Sequence, residues 1–285
     1  MQIVHYVEEL RGIISEAKKQ GKSIGFVPTM GYLHEGHLSL ARRARGENGL
    51  VVMSIFVNPL QFGVNEDYED YPRDLSRDAP MAEAAGVDVL FCPGVADMYP
   101  RGYATFVEVE EITAVLCGAS RPGHFRGVTT VVAKLFGLVQ PDRAYFGQKD
   151  AQQLRVIEKM VEDLNMPVEI VPCPTVRELD GLAMSSRNAY LSPREREAAL
   201  VLNRSLRRAE EAIRAGERDA NRIREQVAAM IREEPLAEID YVSVNDGVTL
   251  REIERIGDRV MVALAVRIGM TRLIDNLQMN LGGEG

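Results

Sequence analysis

The chain is poor in cysteine, in long apolar runs and in positive charge. Its 285 residues hold three cysteines, Cys92, Cys117 and Cys173, widely spaced and without a Cys-x-x-Cys pattern. They read as reduced, mostly buried thiols of a cytosolic protein. No uncharged apolar run is long enough to span a bilayer, so a membrane partner is not expected. The N-terminal MQIVHYVEELRGIISEAKKQ carries Val7, Leu10, Ile14 and Ala17 at helical spacing with charges between them. This predicts an amphipathic helix and not a signal peptide, which needs an unbroken apolar core. A formal net charge of −8 argues against nucleic acid as the main partner. Neither Gly-x-Gly-x-x-Gly nor a Walker loop is present, which speaks against dinucleotide redox chemistry and a P-loop.

What is present is an ordinary soluble composition, 46% hydrophobic and 27% charged, in a chain long enough for one large domain or two moderate ones. The stretch Ile24–Arg45 organises the rest. Ile24-Gly25-Phe26-Val27 reads as a buried strand, broken by Pro28, which cannot donate to a sheet ladder, and turned by Gly31. From Gly36 the pattern is helical, with Leu38, Ala41 and Ala44 recurring and Gly46 as a C′ residue. His34 and His37, two of four histidines in the chain, fall at that helix's first turn. Their spacing places them on one face, and Gly36 between them lets a ligand approach. Helix N-termini offer free N–H groups and partial positive charge, so this is the chemistry of a phosphate or nucleotide site. Two other readings stand beside it: a zinc pair, although the spacing is not His-Glu-x-x-His, and ordinary core or surface histidines.

Further strands end in polar blocks. Leu50–Val57 empties into Asn58-Pro59-Leu60-Gln61, two amides suited to hydroxyls and a carboxylate, or else a capped loop. The acidic stretch Asn65–Asp78 reads mostly as a solvated loop, with Tyr71 edging a substrate pocket and Pro80 kinking or shortening the helix that follows. Val87–Phe91 is the next strand, and Phe106–Glu110 alternates like an edge strand. Arg121–Gly127 is a basic loop before a helix at Val128–Leu138; it either faces an anion or forms a subunit or loop contact. Ala144–Phe146 leads to Gly147-Gln148-Lys149-Asp150, where Lys149 suits phosphate and Asp150 either accepts ribose hydroxyls or caps a helix. Gln153, one turn on, points the same way.

After a strand at Val168–Val171, Met184-Ser185-Ser186-Arg187 sets two hydroxyls and a guanidinium on a loop, a natural phosphate clamp. Ser192, Pro193 and Glu195 predict a capping box. Helices to Ile213 and over Ala220–Arg232, with strands at Ile239–Val244, Arg259–Ile268 and Thr271–Asn276, predict a small α+β domain. The fold expected is therefore α/β: about five parallel strands in a Rossmann-like sheet over residues 1–176, and a smaller α+β domain over 177–285 acting as a lid.

His34-Glu35-Gly36-His37 resembles the His-x-Gly-His signature of the nucleotidylyltransferase superfamily. The longer block Pro28–His37 resembles the pantothenate synthetase (pantoate–β-alanine ligase) family. Phe146–Asp150 resembles that family's Phe-Gly-(Glu/Gln)-Lys-Asp motif. Met184–Arg187 resembles the superfamily's Lys-Met-Ser-Lys-Ser loop, departing from it at Ala183 and Arg187, which argues against a tRNA synthetase. The resemblance implies ATP-dependent joining of (R)-pantoate to β-alanine through a pantoyl adenylate, with release of AMP and pyrophosphate, in a cytoplasmic homodimer. It implies ATP binding by Met30, Gly31, Tyr32, Leu33, His34, Glu35, Gly36, His37, Gly147, Gln148, Lys149, Asp150, Val176, Met184, Ser185, Ser186 and Arg187. His34, His37 and Lys149 are the implied catalytic residues and Gln61, Gln153 and Asn58 the pantoate site. Mg²⁺ would bridge phosphate oxygens, with no dedicated metal site in the protein. A nucleotidyltransferase acting on a phosphorylated small molecule, and a non-catalytic ATP-binding regulator, are the alternatives.

Overall fold

Short apolar runs alternate with amphipathic stretches, and in the computed structural model they fold as a βα series. It describes residues 1–64 and 66–282; Asn65, where the acidic stretch begins, lies outside them. In chain order come β1 (Gln2–Val4), α1 (Val7–Lys19), β2 (Ile24–Thr29), α2 (Glu35–Glu47), β3 (Leu50–Ile55), α3 (Leu75–Ala84), β4 (Val89–Phe91) and α4 (Val95–Met98). Then follow α5 (Cys117–Ser120), α6 (His124–Val139), β5 (Arg143–Gly147), α7 (Ala151–Asp163) and β6 (Glu169–Cys173). The chain continues with α8 (Pro193–Ala198), α9 (Leu200–Arg214), α10 (Ala220–Arg232), β7 (Ala237–Asp246), β8 (Arg259–Ile268) and β9 (Thr271–Asn280). Two compact units result: Met1–Glu110 with Arg121–Gln148 and Gln153–Pro174, and Glu111–Ser120 with Lys149–Gln152 and the chain from Thr175.

The first unit is a Rossmann-like sheet of six parallel strands in the order β1-β4-β3-β2-β5-β6. Its central strands are apolar along their length because both faces are covered. Val27, Val51, Met53 and Leu90 meet Leu38, Ala41 and Ala44 of α2 in one core, each large side chain contributing about 1.5–3 kcal/mol by leaving water. Leu10, Ile14 and Ala17 of α1 are buried as their spacing requires. The strand order reverses between β2 and β5, the place where such sheets open a crevice at their carboxyl ends.

Several expectations are corrected. The N-terminus is not one helix: Gln2–Val4 pairs parallel with β4 and α1 begins at Val7. A three-residue strand is too short to carry a period-2 signal, so six parallel strands replace the expected five. Pro28 does not break β2, which continues to Thr29 with Pro28 opposite Ser54. Thr29 turns its carbonyl towards β3 and Ile24 turns its own towards β5, so by alternation the missing N–H of Pro28 faces β5. That absence ends the β2–β5 pairing at Phe26 and Ala144, while the β2–β3 ladder runs on to Thr29 and Ile55. Gly46 is not a left-handed C′ residue; α2 runs past it and ends on extended Asn48. Helix α3 passes through Pro80 to Ala84. Residues Phe106–Glu110 form no strand. Thr130 of α6 accepts the Val107 N–H at 3.0 Å and Thr129 donates to the Val107 carbonyl at 2.6 Å, satisfying the backbone without a partner strand. Helix α6 starts at His124, within the stretch read as a loop, after Gly123 at φ +82°.

The second unit is a three-stranded antiparallel sheet, β7-β8-β9, with α8, α9 and α10. One face of β8 (Val260, Val262, Leu264, Val266) packs on Leu206, Ile213, Ile223 and Val227. The other face, through Met261 and Ala263, packs on Leu116, Ala151 and Leu250. The expected capping box is present: Ser192 Oγ accepts the Glu195 N–H and Glu195 accepts the Ser192 N–H at 2.9 Å. Among the described residues no helix is long and apolar enough to cross a membrane.

Close approach makes one glycine indispensable. A Cβ on Gly127 of α6 would fall within the van der Waals radius of the Leu60 carbonyl. Gly127→Ala is expected to push α6 away from residues 59–61 and cost roughly 1–3 kcal/mol, read as a lower urea midpoint with unchanged slope.

Candidate active site

In the first unit the histidine turn is shaped by backbone geometry. Gly31 has φ +88° and Tyr32 φ +49°, two consecutive left-handed residues. A Cβ on Gly31 would lie 2.8 Å from Ile55 Cγ2, so only glycine fits. Buried Asp78 of α3 fastens the turn, its carboxylate accepting the N–H of Tyr32 at 2.6 Å and of Leu33 at 2.8 Å. Arg77 donates to the Leu33 carbonyl at 2.8 Å and lies over the Tyr32 ring. Burial raises the Asp78 pKa above the usual carboxylate range, against the pull of the two amides and Arg77.

From this turn the chain enters α2 with His34 as N-cap and Gly36 in the first turn. The His34 and His37 rings lie 4.0 Å apart at 31°, and the His34 N–H donates to His37 Nδ1 at 3.4 Å. Both imidazoles thus stand at a helix N-terminus, the disposition that suits a phosphate. Glu35 points to Arg42, whose hydrogen bond lowers its pKa.

Asn58 and Gln61 bracket a one-turn 3-10 helix, Pro59–Gln61. Asn58, 1% exposed, accepts from Tyr99 Oη at 2.8 Å and donates to Gln61 Oε1 at 3.0 Å and to the Gly127 carbonyl at 3.1 Å. It supports the turn, while Gln61 Nε2 reaches Met30 Sδ at 3.3 Å. The Arg121 loop makes contacts with neighbouring loops. Arg121 pairs with Glu66, and both Arg121 and His124 hold the Gln61 carbonyl, at 3.2 and 2.8 Å. A cavity of about 220 Å³ lies beside them, lined by Gln61, Phe62, Phe106, His124 and Arg126. Tyr71 is buried and packs edge-on against Phe62. A Cβ on Gly147 would meet nothing, leaving open space at the end of β5. Gln148 follows it and Gln153, half-buried, stands in the first turn of α7.

In the second unit Lys149 Nζ lies 3.8 Å from Asp150 Oδ1, with the lysine side chain one-fifth exposed. Val176 and Met184 are brought together by a hairpin: Met184 N–H donates to Val176 O at 3.0 Å and Glu178 N–H to Leu182 O at 2.8 Å. Arg177 of this hairpin forms a two-pronged pair with Asp275. Beyond the hairpin, Ser185 Oγ accepts the Arg187 N–H at 3.3 Å and opens the 3-10 turn Ser186–Tyr190, with Ser186 itself buried.

Asp78, Tyr99, Arg121 and His124 build this site without having been singled out as site residues in the sequence. Asp78 was hidden in an acidic stretch read as solvated. Its signal is its place one turn before Ala82 on the buried face of α3. Among the described residues no group of three or more His, Cys, Asp or Glu side chains is placed to hold a metal ion.

The sequence model of the pantoate-beta-alanine ligase family matches residues 2–278. A pantothenate synthetase of Heliobacterium modesticaldum is 61% identical over 97% of this chain and 99% of its own length. One from Moorella thermoacetica is 58% identical over 99% of each. The crystal structure of pantothenate synthetase from Thermus thermophilus superposes with a TM-score of 0.93 at 51% identity, covering 97% of this chain and 99% of that one. A Francisella tularensis pantoate-beta-alanine ligase, complexed with beta-gamma ATP and beta-alanine, gives 0.78 at 37%, covering 97% of each chain. The Rossmann-like sheet, the histidine turn at its carboxyl end and these likenesses define an α/β enzyme of the ligase class. More narrowly, the chain belongs to the pantoate-β-alanine ligase family.

Replacing Asp78 tests its hold on the turn. Asp78→Asn can accept only one of the two amides, leaving the other buried at a cost of roughly 1–3 kcal/mol; a thermal melt should show the loss together with reduced turnover. Burial opposes the charge on Glu66, but the Arg121 hydrogen bond and charge, a Gly63 backbone bond and His124 outweigh it, holding its pKa down at about 2 from the ordinary 4.5. A depressed carboxyl stabilises the fold above its unfolded pKa and loses that contribution as pH falls towards the folded value. The stability gap between wild type and Glu66→Gln is therefore expected in urea melts at pH 7 and should shrink between pH 4.5 and 2.

Proposed function

We propose that this chain condenses (R)-pantoate with β-alanine at the expense of ATP, through a pantoyl adenylate. The observation that carries the reading is the close His34–His37 pair at the first turn of α2, in a chain of this family. A pantoate carboxylate oxygen attacks the α-phosphorus and pyrophosphate leaves. The β-alanine amine then attacks the acyl carbon, and AMP departs with the electron pair of the broken C–O bond.

Such chemistry depends on positioning and on charge neutralisation. His34 and His37 would donate to oxygens of the α-phosphate as charge grows there, with His37 the proton donor. Lys149, Ser185, Ser186 and Arg187 would hold the other phosphates. Met30, Gly147, Asp150, Val176 and Met184 would frame the nucleoside. Gln61 and Gln153 would take pantoate's hydroxyls, with Asn58 supporting Gln61 as its hydrogen bond permits. Mg²⁺ is assigned to the phosphate oxygens, where it would neutralise charge. The functional division proposed is residues 1–176 for nucleotide and pantoate and 177–285 for the smaller domain. A cytoplasmic homodimer belongs to the same reading and rests on the family resemblance.

ATP–pyrophosphate exchange with pantoate and Mg²⁺, run without β-alanine, tests the adenylate. Exchange that requires pantoate is expected; exchange only with a phosphorylated small molecule would favour a plain nucleotidyltransferase, and ATP binding without exchange a regulator. His37→Ala should slow turnover by roughly 10²–10⁴-fold, the scale for a positioned proton donor. Full activity in a folded His37→Ala protein would remove the histidine from the chemistry.

A further inference from the structure

Strand β9 carries two adjacent buried polar residues in the second unit, Asp275 and Asn276, 3% and 9% exposed. Successive strand residues point to opposite faces, and these two have partners on opposite sides. Asp275 lies across from Leu264, on the face packed against α9 and α10. Its carboxylate takes Arg177 Nη1 at 2.6 Å and Nη2 at 3.0 Å, and Nη1 also donates to the Gly181 carbonyl at 3.2 Å. Arg177 is thereby locked at the base of the Val176–Met184 hairpin, whose tip is fixed by Gly181 at φ +97° against Asn203.

Asn276 lies across from Ala263, on the face that packs against Leu116, Ala151 and Leu250. Its Nδ2 donates to the Lys149 carbonyl at 2.9 Å. Three residues on, Gln152 accepts the Cys117 N–H at 3.0 Å and donates to the carbonyls of Ile112 and Val115 at 2.8 and 2.7 Å. The two residues are also tied to each other, since Asp275 Oδ1 accepts the backbone N–H of Asn276 at 2.8 Å.

Buried polar groups cost stability unless fully bonded, and apolar residues would fill the middle of a strand at lower cost. What this pair adds is registry. The two segments of this unit assigned to ATP, Lys149–Asp150 and Val176–Arg187, are turns and loops with little regular structure of their own. Each is fastened to one of two neighbouring residues of the same strand, about 3.3 Å apart along it.

We propose that Asp275 and Asn276 are positioning residues, which set the backbone of Lys149 and the Met184–Arg187 loop in fixed register so that both engage one polyphosphate. This rests on the reading of Lys149 and the Met184–Arg187 loop as ATP-binding. Neither Asp275 nor Asn276 touches substrate; each acts through the segment it holds.

Pantoate-dependent ATP–pyrophosphate exchange in a double-mutant cycle tests it. Asn276→Asp keeps the shape and replaces the donor with an acceptor facing the Lys149 carbonyl. It should lower kcat/KM for ATP by about 10–100-fold, the scale of a misplaced binding group, while the KM for β-alanine in the complete reaction stays unchanged. On a Lys149→Ala background the same substitution should cause no further loss. An equal loss on that background, or unchanged kcat/KM in folded Asn276→Asp, would overturn the role of Asn276. If Asn276→Asp does not fold, Asn276→Ser, which retains a shorter donor, enters the same cycle. Arg177→Lys keeps the charge without the fork and should raise the KM for ATP alone; no change in the folded variant would overturn the role of Asp275. A Lys149→Ala protein with wild-type exchange would instead refute the ATP reading itself, whatever the Asn276 variants do.

Discussion

The histidine turn depends on one carboxylate. Two consecutive residues with positive φ, Gly31 and Tyr32, are needed to swing the chain from β2 into α2. Tyrosine adopts that region at a cost of about 1–2 kcal/mol. Asp78 offsets the cost by accepting two successive amides just where the backbone is strained, and such bonds to a charged acceptor are the stronger kind. The placement of the imidazoles follows: His34 becomes the N-cap, His37 falls one turn later, and their rings meet with their planes tilted by 31°.

The two units solve the same problem with different means. In the first, a parallel sheet delivers strand ends to one edge, and short polar turns are braced from behind by Asp78, Asn58, Arg121 and His124. In the second, an antiparallel sheet serves as a two-sided bracket, gripping a hairpin on one face and the lysine segment on the other. In both, most groups assigned to substrate sit in turns, loops or first helical turns, and buried side chains such as Asp78, Asn58 and Asp275 fix those segments. Loops can carry chemistry when a rigid scaffold positions them.

Much of this was legible in the sequence, and the rest was not for identifiable reasons. Strands β3 and β8 and helix α10 announce themselves by long apolar or amphipathic periods, and the Ser192 capping box by local chemistry. Strand β1 is too short to show a period, and its pairing with β4 is decided 87 residues away. Pro28 was misread because its meaning depends on which neighbour its nitrogen faces, and a sequence does not say. Residues Phe106–Glu110 alternate as a strand does, yet Thr129 and Thr130 of α6 satisfy Val107 first. The motif residues of the site were visible as chemical types. Their supports were not, because Asp78 and Arg121 look like surface charges until tertiary contacts bury them.

Pro28 has one more effect. Its nitrogen carries no hydrogen towards β5, so strands β2 and β5 have no donor at that point with which to zip together beyond Phe26 and Ala144. The gap at the carboxyl end of the sheet is written into covalent structure. A molecule arriving there has no backbone ladder to pry apart, and none of its binding energy goes into opening the sheet.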